Sequence, residues 1–267
     1  MQFSPALRQA LRLLDTAPER LRRVVTPPAP HDLLRGNLRG GGIFHPIPVV
    51  QVCLAGPMRV RTRNQRFDLG PGDAIAIPAA TWHGYPETHP QQLLVGFGWL
   101  GSRSDLWMDG PGFNLWASMP HEPMRGLIRR AATAANEAER LAMVRDLLTA
   151  VAAEDLDGLR SVPAPIERML EVVLRRLHLG PTAADLVHAS GLGRSQAYSL
   201  FTSFYGLSPR RALELRRLEL AKALLSAGHG VSETAAACGW RNRETFSRRW
   251  SRQHGCPPRA SRLPPGR

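Results

Sequence analysis

The sequence predicts an α+β protein in which a small β-barrel or sandwich is followed by linker helices and an all-α C-terminal domain. Between about residues 40 and 100, short apolar runs alternate with Gly and Pro, which is typical of small all-β folds. From Met124 onward, apolar residues recur at helical spacing. Residues 161–165, Ser-Val-Pro-Ala-Pro, have the composition of an interdomain linker. We predict four segments: an N-terminal helix with a Pro-rich stretch (1–35), the barrel (36–120), the linker helices (121–160) and the helical domain (166–267).

The elements of the N-terminal half follow from the spacing of its apolar residues. Leucines at helical spacing over residues 4–23 predict an amphipathic helix, which is followed by Pro27, Pro28 and Pro30. Four apolar runs are predicted strands: residues 49–54, 58–61, 74–77 and 93–97. One apolar stripe of the linker helices has two interpretations, packing on the barrel or contact with a partner chain. Its members are Leu141, Val144, Leu147, Leu148 and Val151.

The formal net charge of +13 is concentrated in the C-terminal domain. Residues 166–267 hold 17 Lys and Arg against 7 Asp and Glu, whereas residues 1–165 hold 18 against 15. A bias toward Arg, which supplies 34 of the 35 basic residues, does not explain this asymmetry. A domain with such a basic excess indicates a polyanionic partner, of which nucleic acid is the common example.

Cysteine spacing and hydropathy bear on the cellular compartment. Cys53, Cys238 and Cys256 are far apart, and no pair has the short spacing of a zinc site or redox motif. The longest uncharged run, residues 40–58, contains three prolines and is a poor membrane-spanning helix. Charged residues interrupt the apolar positions near the N-terminus, which argues against a secretory signal. We therefore expect a reduced, cytoplasmic protein with no membrane partner.

The C-terminal domain shows one helical pattern twice. After a first helix over residues 166–177, a short helix, a Gly-containing turn and a longer helix follow one another, and this order then recurs. Thr182 is the expected N-cap of the first short helix. A connecting helix of 18 residues, from Pro209 to Ser226, would be roughly 27 Å long, close to one turn of DNA. The two repeats comprise residues 182–189, 190–193 and 194–205, then 231–238, 239–242 and 243–253.

Residues 166–262 resemble the DNA-binding domain of the AraC/XylS family of transcription regulators. Three positions depart from the family pattern. Gly193 stands where the family usually has a capping Ser, Ala197 replaces a larger apolar residue, and Thr234 occupies a usually apolar position. The resemblance implies two helix-turn-helix units that bind DNA. It rests on Gly191, Leu200, Phe201, Gly206, Leu207, Ser208, Pro209, Arg217, Ala221, Leu224, Leu225, Ala235, Gly239, Trp240, Phe246, Trp250, Gly255, Pro258 and Arg262.

The resemblance and helix geometry predict a DNA-contacting surface on the second helix of each unit, which we call the recognition helices. The predicted core positions are Ala197, Leu200, Phe201 and Phe204 in the first, and Phe246 and Trp250 in the second. On the outward faces, Arg can pair with guanine, Gln with adenine, and Glu can accept from cytosine. Arg241, Arg249 and Arg252 are expected to meet phosphates. The predicted DNA-binding residues are Arg194, Ser195, Gln196, Tyr198, Ser199, Arg241, Arg243, Glu244, Ser247, Arg248 and Arg252.

Residues 72–83, Gly-Asp-Ala-Ile-Ala-Ile-Pro-Ala-Ala-Thr-Trp-His, are similar in spacing to the second motif of cupin barrels, with Ala80 in place of a usual Gly. Residues 51–72 resemble the sensor barrel of many AraC-type regulators. The resemblance implies a cupin-like effector pocket, with His45, Trp82 and His83 as candidate ligand-binding residues. A purely structural role for Trp82 and His83 is an equal alternative. Because the His-x-His pair and Glu of metal-binding cupins are missing, we expect no metal and no cofactor.

Taken together, these patterns predict a sequence-specific DNA-binding transcription regulator rather than an enzyme. A small-molecule effector, or dimerisation through the N-terminal barrel, would control it. The expected partners are double-stranded promoter DNA, the effector, RNA polymerase and a second copy of the chain. Two alternatives stay open: a metal-dependent cupin enzyme with a nucleic-acid-binding tail, and a DNA-architectural protein without ligand control.

Overall fold

A computed structural model describes residues 11–27, 44–87, 89–100, 103–110, 113–120, 124–153, 160–175 and 177–262. These residues confirm the predicted α+β class, with sheets in the N-terminal part and helices in the C-terminal part. The chain divides into two compact units. The first takes residues from Met1–Pro28, Pro48–Pro78 and His83–Val162, and the second from Ala29–Ile47, Ala79–Trp82 and Pro163–Arg267. None of the helices in the described ranges is both long and apolar enough to span a membrane.

The first unit contains two sheets and a layer of helices. Its elements are α1 Ala17–Arg20, β1 Arg23–Val25, β2 Val49–Ala55, β3 Met58–Thr62, β4 Arg66–Leu69, β5 Asp73–Ile77, β6 His83–Gly84, β7 Leu93–Leu100, β8 Arg103–Gly110, β9 Phe113–Pro120, α2 Met124–Thr133, α3 Glu137–Ala153 and β10 Arg160–Ser161. One sheet has seven strands in the order β1-β5-β2-β7-β8-β9-β10, and the other has three in the order β4-β3-β6. All paired neighbours are antiparallel except β1 and β5. Within the described residues, no ladder joins the two sheets into a closed barrel.

Burial explains which strands the sequence reveals. Every residue of β5 and β7, and all but the last of β2, is buried, so these strands read as continuous apolar runs. Strand β3 instead alternates buried with more exposed residues, as expected when one face is covered. The four predicted strands are confirmed as β2, β3, β5 and β7. The long hairpin of β8 and β9 was not predicted.

The N-terminal segment departs from its predicted helix over residues 4–23. Residues 11–15 and α1 are helical, but the chain then extends, and β1 pairs with β5 in parallel. The β-branched Val24 is fully buried in this pairing, which favours a strand there. Residues 4–10 of the predicted helix, together with Pro28 and Pro30, lie outside the described residues.

Asp73 ties this segment to the turn before β5. Its buried carboxylate accepts a hydrogen bond from the Gly70 N–H at 2.9 Å and contacts the guanidinium groups of Arg22 and Arg23 at 3.2 and 3.1 Å. Burial alone would raise the pKa of Asp73. The hydrogen bond from Gly70 and the two cations outweigh it, so the pKa lies below its ordinary value. The charged form of Asp73 therefore stabilises this corner at neutral pH.

The apolar stripe of the linker helices packs within the first unit. Helix α3 contacts α1, α2 and β1, and α2 covers β2, β5 and β7. Of the stripe, Val144, Leu147, Leu148 and Val151 are buried and Leu141 is half-buried. The intramolecular interpretation of this stripe is therefore the correct one, because these side chains already have apolar neighbours in their own chain.

The second unit is helical and closely follows the prediction. Helix α7 lies at its centre and contacts α5, α6 and α8. It begins after the N-cap Ser208, with Pro209 in its first turn as predicted. Short 3-10 turns occupy Leu177–Leu179 and Pro258–Ser261. The helices are α4 Ala164–Arg175, α5 Ala183–Ser190, α6 Arg194–Tyr205, α7 Pro209–Ser226, α8 Val231–Ala237 and α9 Arg243–His254.

Gly96 in β7 shows how the unpredicted hairpin is seated on the sheet. It lies opposite Trp107 of β8, and a Cβ at Gly96 would meet the Trp107 indole at 2.0 Å. The indole therefore covers the bare backbone of this glycine. By contrast, Gly126 in α2 has no atom within 4 Å of an added Cβ.

We predict that Gly96→Ala destabilises the first unit by about 1–3 kcal/mol, because Trp107 must leave its position. Gly126→Ala is the matched control and should stabilise by about 0.5–1 kcal/mol, since alanine favours a helix. Urea dependence of hydrogen exchange at the β7 amides measures both changes. Equal effects of the two substitutions would show that Trp107 does not rest on Gly96.

Candidate nucleic-acid interface

The first helix-turn-helix unit consists of α5, its turn and α6. Thr182 caps α5 as predicted, because its side chain accepts from the Asp185 N–H while Asp185 accepts from the Thr182 N–H at 2.7 Å. The Thr182 N–H and hydroxyl both donate to the Asp185 carboxylate, and these two hydrogen bonds lower the pKa of Asp185. The helix ends at Gly191, whose φ of +71° is the left-handed conformation that glycine adopts readily.

Arg168 of α4 holds the turn of this unit from outside. Its Nε donates to the Ala189 carbonyl at 3.0 Å and its Nη2 to the Ser190 carbonyl at 2.6 Å. These carbonyls end α5, where a cation also complements the helix dipole. The sequence did not reveal this role, since Arg168 lies 21 and 22 residues from its acceptors.

The N-cap residue of the recognition helix α6 is Gly193, which has no side chain to accept from the first N–H groups of the helix. Its buried residues are Ala197, Phe201 and Tyr205, one every four positions. The predicted core positions Leu200 and Phe204 are wrong in part, because both are only half-buried and the phenol ring of Tyr205 is enclosed instead. The fully buried face of α6 is therefore narrower than we expected.

The second helix-turn-helix unit consists of α8, its turn and α9. The Glu233 carboxylate accepts from the Gly230 N–H at 3.3 Å at the start of α8. Asn242 caps α9, since its Oδ1 accepts from the Thr245 N–H at 2.9 Å. Phe246 and Trp250 are fully buried with ring centroids 5.8 Å apart, which confirms the predicted core of this helix.

Thr234 of α8 is one of the three positions that depart from the family pattern, which usually has an apolar residue there. The residue is fully buried. Its Oγ1 has no hydrogen-bond partner among the residues that the structure describes. A desolvated hydroxyl without a partner costs stability relative to an apolar group of the same shape.

The predicted DNA-contacting residues lie on the outward faces of both units. Tyr198 and Ser247 are half-buried. The guanidinium of Arg194 lies 5.8 Å from the centre of the Tyr198 ring, at cation–π distance. The exposed members are Arg194, Ser195, Gln196, Ser199, Arg241, Arg243, Glu244, Arg248 and Arg252.

Arg249, which we expected at a phosphate, faces α7 instead. Its Nη1 lies 3.8 Å from the Glu214 carboxylate, which also contacts Arg211 at 2.9 Å. Arg211 in turn donates to Gln253 at 2.6 Å. This chain of polar contacts ties α9 to α7 and gives Arg249 a structural partner.

The candidate ligand-binding residues differ in environment. His45 is buried and its carbonyl accepts from the Ala80 N–H at 2.8 Å. Trp82 is half-buried. His83 is fully buried in β6, where its ring packs edge-on to Tyr85 at 5.9 Å.

A polar pair that the sequence did not reveal lies beside His83. The Tyr85 hydroxyl donates to Gln51 Oε1 at 2.6 Å, and Gln51 is buried in β2. Burial raises the pKa of the Tyr85 phenol well above its ordinary value. Gln51, His83 and Tyr85 thus form a polar cluster in the first unit, in which Gln51 and His83 are buried and Tyr85 is half-buried.

A separate cavity of about 280 Å³ lies in the first unit, beside α1 and the turn before β5. None of the three candidate ligand-binding residues lines it. Its lining is mainly apolar and includes two arginines: Leu13, Ala17, Arg20, Arg22, Val52, Cys53, Leu54, Pro71 and Gly72. Among the residues that the structure describes, no three His, Cys, Asp or Glu side chains converge as metal ligands would.

Residues 186–263, from within α5 to beyond α9, match the family model of a helix-turn-helix domain. The C-terminal part of the chain is an AraC-type helix-turn-helix domain. Over a longer stretch, the chain is 24% identical to the probable transcriptional regulator LumQ of Photobacterium leiognathi, across 80% of this chain and 88% of LumQ. It is 38% identical to the raffinose operon transcriptional regulatory protein RafR of Pediococcus pentosaceus, across 30% of this chain and 29% of RafR.

Among solved structures, the DNA-binding domain of AdpA in complex with a target DNA is similar at 25% identity and a TM-score of 0.35. It covers 37% of this chain and 89% of its own. The matched family is a DNA-binding one, and both curated relatives are named as regulators. The family match and the two named regulators confirm the predicted resemblance and the assignment to transcription regulators.

We predict that Thr234→Val stabilises the AraC-type domain by about 1 kcal/mol, because it replaces an unpaired buried hydroxyl with a methyl group of equal size. Thr202→Val, at an exposed position of α6, is the control and should change stability by less than about 0.5 kcal/mol. The urea dependence of hydrogen exchange in α8 measures both. A loss of stability in Thr234→Val would mean that the hydroxyl has a partner.

Proposed function

We propose that this protein is a transcription regulator that recognises promoter DNA with both recognition helices, α6 and α9. One observation carries the proposal: two helix-turn-helix units share one central helix, and the outward face of each recognition helix is exposed and carries arginine. The N-terminal turn of a recognition helix is the part that approaches base edges in the major groove. Arg194 and Arg243 are the first residues of α6 and α9.

The two helices offer different base chemistry. At the start of α6, Arg194, Ser195 and Gln196 present a guanidinium, a hydroxyl and an amide, which suit guanine and adenine. At the start of α9, Arg243 and Glu244 combine a donor for guanine with an acceptor for cytosine. Arg241 and Arg252 lie before and late in α9, where phosphates are the natural partners. A site of two unlike half-sites follows from this difference.

We predict that Arg243→Ala and Arg248→Ala each weaken binding to the selected DNA site by about 5- to 150-fold, the equivalent of one bidentate contact of roughly 1–3 kcal/mol. The site is first selected from random duplexes with the full-length protein. Gel-shift titration at fixed salt then gives the affinities. Arg130→Ala, an exposed arginine of α2, removes the same charge outside the domain and should leave affinity unchanged.

Two outcomes would count against this proposal. Unchanged affinity in both variants would remove the assigned face. Equal affinity of the wild-type protein for the selected site and for random DNA would instead favour an architectural protein, whose binding is set by phosphate contacts and salt.

We further propose that a small-molecule effector binds the first unit and shifts the population of DNA-binding arrangements. The polar cluster of Gln51, His83 and Tyr85 supports a ligand with hydroxyl or carboxyl groups, because buried donors and acceptors orient such groups. The ligand-binding roles predicted for His45 and Trp82, which belong to the second unit, stay separate predictions. In the same proposal, the regulator also binds a second copy of the chain and RNA polymerase. It acts in the cytoplasm.

We predict that screening sugars and small carboxylic acids by thermal shift finds a stabiliser of the full-length protein. A ligand at 100 times its Kd adds about 2.7 kcal/mol. Tyr85→Phe keeps the ring but loses the hydroxyl, so it should lose most of this stabilisation. Ala17→Ser changes the separate cavity and should not. The reverse pattern would place the effector in the cavity beside α1, and the absence of any stabiliser would refute effector control.

A further inference from the structure

The segment that leads into the first helix-turn-helix unit touches the turn of the second unit directly through backbone. Gly180 precedes α5 with a φ of +69°, and Gly239 lies in the turn of the second unit with a φ of +75°. A Cβ at Gly239 would lie 2.5 Å from the Gly180 Cα and 3.0 Å from its N. Only a glycine at 239 permits this approach, both for its conformation and for its space.

Arg217 of α7 adds a side-chain link at the same place. Its Nη2 donates to the Pro181 carbonyl at 2.6 Å, and its guanidinium lies 5.8 Å from the centre of the Trp240 ring. Pro181 leads into α5, and Trp240 follows Gly239 in the second turn. Arg217 is half-buried, and desolvation lowers its pKa. One guanidinium therefore joins the central helix to both units, and it does so with a carbonyl and an aromatic face.

We propose that Gly180, Arg217, Gly239 and Trp240 form an inter-unit latch that fixes the separation of the two recognition helices and makes the protein selective for half-site spacing. This inference rests on the DNA-binding function proposed above. The latch lies near both recognition helices. On one side Pro181 leads into α5, which contacts α6, and on the other side Trp240 comes two residues before Asn242, the N-cap of α9. Without the latch, only the packing of each unit on α7 would set the angle between the two units.

Spacing selectivity follows from the geometry of DNA. One helical turn contains 10–10.5 base pairs, so one inserted base pair rotates the second half-site by roughly 35° and moves it about 3.4 Å. A latched pair of helices cannot follow this change without losing contacts in one groove. A loosened pair can turn and recover part of them.

The test uses the selected site and duplexes in which the two half-sites are moved by one or two base pairs. We expect the wild-type protein to lose about 30-fold or more in affinity for a two-base-pair insertion, the scale of losing one or two base contacts. Arg217→Met removes the guanidinium and keeps an apolar stem, and it should lose fivefold or less. Arg217→Lys keeps the charge without the planar fork and should lie between them.

Arg210→Met is the matched control, since Arg210 is exposed at the start of the same helix and loses the same charge. It should keep the wild-type spacing penalty. An identical penalty in the wild type, Arg217→Met and Arg217→Lys would overturn the latch. If no protein prefers the selected site over random DNA, the proposed function fails instead, so the two failures are distinct.

A second measurement needs no DNA. Spin labels at Ser203→Cys in α6 and Ser251→Cys in α9, both exposed positions, report the distance between the recognition helices in full-length protein that also carries Cys256→Ser. We expect a narrow distance distribution in the wild type and a clearly broader one in Arg217→Lys. Equal widths would overturn the latch even if the DNA measurements showed a difference.

Discussion

The shared helix α7 is the constraint on which the DNA-binding domain depends. Its buried positions form a wide face rather than a narrow stripe, and they include Ala212, Leu213, Leu218 and Leu225, whereas Arg211 and Lys222 lie on the exposed side. Because this face contacts α5, α6 and α8, the helix supplies much of the core of its domain. Neither helix-turn-helix unit, with two short helices each, buries enough apolar surface to stand alone. The two units are therefore one cooperative structure.

How much the sequence predicts depends on how local the signal is. Caps and periodicity determine α5, α7 and α9, because Thr182, Pro209 and Asn242 act within one helical turn, and these elements agree with expectation. The hairpin of β8 and β9 was missed, since its pairing depends on contacts such as that of Trp107 with Gly96 across strands. Long-range pairing leaves little trace in a window of ten residues.

The same distinction applies to the candidate site. The exposed faces of α6 and α9 follow from the helical period once one core residue is known, so the outward set could be listed from sequence. Arg168, Arg217 and Arg249 could not be assigned in this way, because each contacts a residue at least 21 positions away. An arginine in a basic domain looks the same in sequence whether it binds phosphate or a carbonyl. Only the fold separates the structural arginines from those left for DNA.

The two units are unequally built, and the difference bears on how each is held. Helix α9 begins with a capping side chain, Asn242, whereas α6 begins at Gly193 without one. A missing N-cap weakens the first turn, which the proposed function places at the base edges. Arg168 of α4 offsets this weakness, because its hydrogen bonds to the Ala189 and Ser190 carbonyls fix the turn that precedes α6. The first helix-turn-helix unit thus depends on contacts from outside its own two helices. A change in the contacts that it receives from α4 or α7 would therefore act directly on its recognition helix, α6.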